Sequence, residues 1–232
     1  MAFVYDKNTQ YLEGMNEFGI GILNSTMLNE VDSDVEDGYN REQGAIVFKA
    51  LNTRSLDEAI GVLTTQSGGL EGHTMVADAA RAFHIEMLKG SEAHTTQLDP
   101  TTGWDARTNH GMFFPEGGYM PSDGDFYMSS NYRKALAEIE LAQADSPKKA
   151  MSLMRQQHND PGSHLNLHRR VDAVENEKFG FKTTSQVVLD LGERKLYYHS
   201  YDQYAVFLGE VEDLLPEDYK PKIKIALSNS DH

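Results

Sequence analysis

The residues best suited to chemistry in this 232-residue chain stand in short polar clusters set inside apolar runs. Arg107-Thr108-Asn109-His110-Gly111 lies between Trp104 and the run Met112-Phe113-Phe114. Polar groups in that setting must find partners, because burying one without a hydrogen bond is costly. A second cluster ends the stretch Gly14 to Thr26. Ile20, Ile22 and Leu23 predict a strand buried on both faces, with Asn24, Ser25 and Thr26 as its polar tip. Such tips are where folds tend to place donors for a ligand, although an ordinary core strand with a polar end has the same pattern. In Phe83-His84-Ile85-Glu86 the alternation sends Phe83 and Ile85 to one face and His84 and Glu86 to the other.

Two further clusters suggest metal chemistry and then lose it. Asp32, Asp34, Glu36 and Asp37 resemble part of a calcium loop. Gly38 is not in the sixth position from Asp32 and no Glu closes the loop, so a solvated acidic loop over 29–42 is expected. His164 and His168 are four apart, which on a helix would put both on one face as in a zinc site. They also alternate with Leu165 and Leu167, no Glu completes a metalloprotease pattern, and Pro161-Gly162 favours a loop.

The elements that must position these residues follow from periodicity and punctuation. Phe3–Asp6 and Tyr11–Glu13 predict a hairpin turned at 7–10, leading into the Gly14 stretch. Helices are expected over Gln43–Leu51 and from Ser55, where Ser55 and Glu58 form a capping box. His73–Ala77, Ala82–Leu88 and Ala93–Leu98 read as strands, the first two turned at 78–81. Ser129-Ser130 is expected to cap a long helix to about Ala144, with Tyr132, Leu136 and Ile139 on its apolar stripe. Ser146-Pro147 opens another helix to about Gln157. Lys182–Leu191 and Lys195–Tyr201 form a hairpin turned at Gly192-Glu193, and Ala205–Val211 and Ile223–Leu227 are further strands. Sheet, helix pair, sheet, helix pair, sheet predicts one α+β domain over 1–232, a sandwich in which helices cover antiparallel sheets.

Composition narrows the functions. Twenty-one basic against 36 acidic residues give a net charge of −15. A chain this acidic is a poor partner for nucleic-acid phosphates or anionic membrane surfaces. No apolar run approaches the ~20 residues that cross a bilayer, and no signal peptide is visible, so a cytoplasmic location is expected. There is no cysteine, hence no disulfide and no thiol nucleophile.

Five segments together resemble a known family. They are Gly14-Met15-Asn16-Glu17-Phe18-Gly19 followed by a strand with Asn24; Phe83-His84-Ile85-Glu86; Thr108-Asn109-His110; Ser129-Ser130-Asn131-Tyr132-Arg133; and Thr183-Thr184-Ser185-Gln186-Val187-Val188-Leu189-Asp190. In order and spacing the chain is similar to the linear-amide C–N hydrolases of the N-terminal-nucleophile (Ntn) superfamily. That group includes choloylglycine hydrolases, penicillin V acylases and the peptidase C45-like acyl-coenzyme A:6-aminopenicillanic acid acyltransferases. The resemblance implies an αββα Ntn fold, a small-molecule amide substrate that is non-peptide or N-acyl, and no metal or organic cofactor. It implies that Asn109 hydrogen-bonds near the nucleophile, that Asn24 or its neighbour Thr26 helps form an oxyanion hole, and that Arg133 stands in the second wall of the site. Neutral amide donors suit an oxyanion, and a buried Arg suits a carboxylate or the substrate. Arg107, Thr26 and His110 are expected beside the substrate. His110 is expected to be structural first, because the family's base is the α-amine of its own nucleophile.

The family's nucleophilic Cys, and the Arg and Asp that follow it, would lie upstream of the segment matching Gly14. Three accounts follow: the chain is a fragment, a separate chain supplies the nucleophile strand, or catalysis has been lost and binding kept. A fold without its first strands would expose a sheet edge, so a homo-oligomer or a strand-supplying partner is expected. The alternative reading is a non-catalytic binding or structural protein on the same fold.

Overall fold

The computed structural model describes residues 2–4, 11–25, 27, 37–65, 70, 72–88, 91–101, 104–156, 158–159, 163–169, 183, 185–200, 205–210 and 225–226. They fall into two compact units, Met1–Gly103 with Arg107–Met128, and Trp104–Ala106 with Ser129–His232. Thr26 and the acidic stretch 28–36 lie outside the described residues.

The first unit is built on a six-stranded antiparallel meander: β1 (Ala2–Val4), β2 (Tyr11–Met15), β3 (Gly21–Ser25), β4 (Gly72–Ala77), β5 (Ala82–Met87) and β6 (His94–Gln97). Register divides its side chains. Ile22 pairs with Val76, Thr74 with Ile85, and Val76 with Phe83, so these share one face. Ser25 pairs with His73, His73 with Glu86, and Met75 with His84, which puts the imidazoles and the carboxylate on the other face. The alternation expected at Phe83–Glu86 is therefore observed. β3 departs from the expectation of full burial: Ile20 and Ile22 are buried, whereas Leu23, Asn24 and Ser25 are half-buried at its end.

Two helices cover the apolar face, α1 (Asp37–Leu51) and α2 (Leu56–Thr65). Ile46, Val47, Ala50 and Leu51 of α1, and Leu56, Ala59 and Leu63 of α2, form one core with Ile20, Ile22, Val76 and Ile85. Each such burial contributes about 1.5–3 kcal/mol for a full-sized aliphatic side chain. α1 begins at Asp37, so the loop expected over 29–42 is corrected for 37–42. Its opening sequence DGYNREQ lacks apolar periodicity. α2 is capped as expected, Ser55 Oγ accepting from Glu58 N at 3.3 Å. The Glu58 carboxylate reaches back one residue further than in the usual box and accepts from Arg54 N at 2.9 Å.

The opening motif has a structural task. Asn16 is buried at the β2–β3 turn, where Oδ1 accepts from Phe18 N and Ile20 N, both at 3.0 Å. Its Nδ2 donates to Leu51 O at 3.1 Å and Thr53 O at 2.9 Å, carbonyls that the end of α1 leaves without helical partners. Gly19 completes the turn with φ of 79°, a conformation glycine adopts without strain.

The second unit contains a four-stranded antiparallel sheet of β7 (Ser185–Asp190), β8 (Lys195–Ser200), β9 (Ala205–Glu210) and β10 (Ile225–Ala226), in the order β10-β9-β8-β7. The expected hairpin and both later strands are present. α4 (Pro147–Met154) packs on β7 and is capped by Ser146, whose hydroxyl accepts from Lys149 N. α4 ends at Met154, short of the expected Gln157.

α3 (Asp125–Leu141) differs from expectation at its start. Ser129 and Ser130 are buried inside it and do not cap it. Ser129 Oγ donates to His164 O at 2.9 Å, a tertiary use that the sequence pattern of a cap does not distinguish. Of the expected stripe only Leu136 is buried. Tyr132 and Ile139 are exposed, and the buried residues of the helix are Ser129, Ser130, Leu136 and Glu140. Residues 163–169 form turns and bends, so His164 and His168 do not share a helix face.

Candidate functional site

The polar face of the first sheet ends beneath the loop from Arg107 to Tyr119. Three side chains from three strands hold that loop down. Ser25 Oγ of β3 donates to Thr108 O at 3.2 Å. His73 of β4 contacts His110 O through Nε2 at 2.9 Å. Glu86 of β5 accepts from the successive backbone N–H groups of Met112, Phe113 and Phe114 at 2.8–3.0 Å. Consecutive amides converging on one anion form a concave nest, here filled by a carboxylate of the chain itself. Glu86 is fully buried, and these charge-assisted bonds offset the cost of removing it from water.

The loop also closes on itself. Gly111 N donates to Gly117 O at 2.8 Å, Gly117 N to Phe114 O at 2.8 Å, and Tyr119 N to Asn109 O at 2.9 Å. A Cβ on Gly111 would overlap the Phe114 carbonyl oxygen, and one on Gly118 (φ 68°) would overlap the Asn109 carbonyl oxygen. These two positions therefore require glycine.

His73, His84 and Glu86 form a buried cluster below the loop. His73 Nδ1 and His84 Nε2 are 2.9 Å apart, and Arg107 Nε donates to His84 Nδ1 at 3.2 Å. Those contacts assign the protons. His84 Nδ1 accepts from Arg107, so Nε2 carries the proton and donates to His73 Nδ1. His73 then donates through Nε2 to the His110 carbonyl. Burial, followed by the charge of Arg107 and the neighbouring His73, pushes His84 down to about 3. It is neutral in this network.

The site residues expected from the sequence fall as follows. Asn24 Oδ1 accepts from Thr74 Oγ1 at 2.8 Å, with Thr74 on the face that Ile85 shares. Ser25, one residue on, belongs to the face that meets the loop. Asn109 is half-buried, and its carbonyl closes the loop through Tyr119. Arg107 meets His84. His110 is buried, its Nδ1 3.2 Å from Thr108 Oγ1 and its ring edge-on to Tyr127 at 6.0 Å. In the second unit, Arg133 Nε donates to Ser129 Oγ at 3.4 Å. Thr26 is outside the described residues. Loop, Ser25, His73, His84 and Glu86 are thus brought together, and sequence reasoning missed His73. The available signal was the hairpin: a four-residue turn at 78–81 sets His73 opposite Glu86 and Met75 opposite His84.

No family profile matches the sequence, and no curated protein matches it. Among solved structures, the chain is similar to penicillin V acylase from Agrobacterium tumefaciens, with TM-score 0.50 and 15% identity, over 88% of this chain and 67% of that one. The likeness is one of fold. The chain is an α+β protein of helices and antiparallel sheets. Among the described residues no helix is long and apolar enough to cross a membrane.

Proposed function

We propose that this chain is the scaffold of an Ntn-type amide (C–N) hydrolase or acyltransferase whose substrate is a non-peptide or N-acyl amide. The two compact units are read as halves of one such domain. The observation that best supports the reading is the presentation of Asn109. Its loop is fixed to three strands by Ser25, His73 and Glu86, which is the preorganisation a neutral oxyanion donor needs. In this reading Asn109 is the oxyanion donor nearest the reacting carbonyl. Asn24 supports the strand end, and Arg107 serves substrate. His110 keeps the structural role its buried contacts favour.

The sequence contains no cysteine, the family's nucleophile. Groups that act as a unit lose almost all catalysis when one member is missing. The chain alone is therefore read as binding amides without turning them over, as a homo-oligomer or beside another chain that brings the nucleophile strand. The test is incubation with a panel of acyl-amides, penicillin V and N-acyl amino acids among them, followed by assay of free amine. No release above a heat-killed control is expected. Release abolished by Asn109→Ala would show an internal nucleophile, with Ser25 and Thr26 the first positions to mutate.

A further inference from the structure

We propose that His73, His84 and Glu86 form a binding site for one zinc-class divalent cation, which pins the Asn109-bearing loop to the sheet. The proposal is independent of the hydrolase reading and departs from the cofactor-free expectation of the sequence.

Geometry carries it. His73 Nδ1, His84 Nε2 and Glu86 Oε2 lie 2.9, 3.6 and 4.0 Å apart. A triangle with those edges has a centre about 2.1 Å from every corner, the length of a Zn–N or Zn–O bond. Two imidazoles and one carboxylate are a common donor set for catalytic zinc, with a fourth position left to water or a ligand oxygen. The donors come from adjacent, directly paired strands, so their spacing is set by the sheet and not by a loop.

The surroundings match what a metal site needs. His73 already holds the required tautomer, directing Nε2 to the His110 carbonyl, the outer contact by which ligating imidazoles are usually oriented. Glu86 bonds unequally. Oε1 accepts from Met112, Phe113 and Phe114, whereas Oε2, among the described residues, accepts only from Phe113, at 3.0 Å, and faces the imidazoles. Oε2 can thus take a cation without loss of the nest.

Arg107 opposes binding. Its Nε–H at His84 Nδ1 keeps the proton on Nε2, the atom that must coordinate. Cation entry moves that proton from Nε2 to Nδ1, leaving the ring neutral, and turns the guanidinium away. No proton is released from this ring. The site therefore exchanges a hydrogen-bonded state closed by Arg107 for a metal-bound state in which the cation replaces the proton shared between the two rings.

The test uses the whole chain, stripped with a chelator and titrated with Zn²⁺ by calorimetry, with thermal unfolding recorded in parallel. One zinc per chain is expected, with a Tm that rises on addition and returns with chelator. Arg107→Gln, whose side-chain oxygen can accept from Nδ1–H, is expected to bind at least several-fold more tightly. His84→Ala, checked for folding by circular dichroism, is expected to bind at least ten-fold more weakly. Should that variant not fold, Co²⁺ added to the wild-type chain decides: intense visible bands of a low-coordinate site support the proposal, and the pale spectrum of the aquo ion overturns it. Failure of the wild type to take up zinc, binding by folded His84→Ala equal to wild type, or no tightening in Arg107→Gln would each overturn it.

Discussion

Glu86 holds the backbone N–H of Phe113 with both carboxylate oxygens, at 2.9 and 3.0 Å, from a position with no exposed surface. A glutamate on β5 thereby sets the course of a loop 26–28 residues further along the chain. Replacing it by Gln removes the charge, leaves one oxygen for the three amides, and puts an NH₂ group where Oε2 shares the Phe113 N–H. Glu86→Gln is expected to cost about 2 kcal/mol, since hydrogen bonds to a buried charge are worth ~1.5–3 kcal/mol and the single amide oxygen that remains makes only neutral ones. Urea unfolding measures this, and limited proteolysis should show earlier cleavage between 107 and 119. A loss under about 0.5 kcal/mol would mean that the nest does not hold the loop.

Asn16 is the corresponding tie on the helix-covered face. Asn16→Ala leaves the Leu51 and Thr53 carbonyls and the Phe18 and Ile20 amides to find other partners at a buried turn. The expected loss is about 3 kcal/mol in denaturant unfolding. Asn16→Asp should recover little of it, because it keeps the acceptor side and loses the donors.

The Asn16 turn also shows what the sequence could and could not reveal. Gly14–Gly19 is recognisable as a turn from its glycines, and the strands around it from their apolar alternation. That Asn16 reaches across to the end of α1 is a contact over 35 residues, which no local pattern records. The same division holds at the site. His84 and Glu86 were legible as one face of a strand, and Arg107–His110 as a polar cluster needing partners. Their joining through His73 depends on strand register and on the path of the loop. α3 shows the opposite failure. Ser129-Ser130 has the composition of a cap, yet the helix starts at Asp125, and Ser129 inside it donates to the His164 carbonyl.

Gly111→Ala tests the loop's closure. The added Cβ would meet the Phe114 carbonyl oxygen, backbone that cannot rotate away. A loss of at least about 2 kcal/mol is expected, against a gain of about 0.5–1 kcal/mol for Gly61→Ala, an exposed position within α2 where a Cβ meets nothing within 4 Å. Thermal unfolding of the two variants side by side separates a steric requirement from a general cost of replacing glycine.

The most direct test of the amide-scaffold account is the affinity of the chain for an N-acyl amide, measured by calorimetry on wild type and Asn109→Ala. The account predicts saturable binding of at least one amide, weakened about ten-fold in the variant, equivalent to ~1.4 kcal/mol, with thermal stability unchanged. Absence of saturable binding across the panel, or equal affinity in Asn109→Ala, would contradict it.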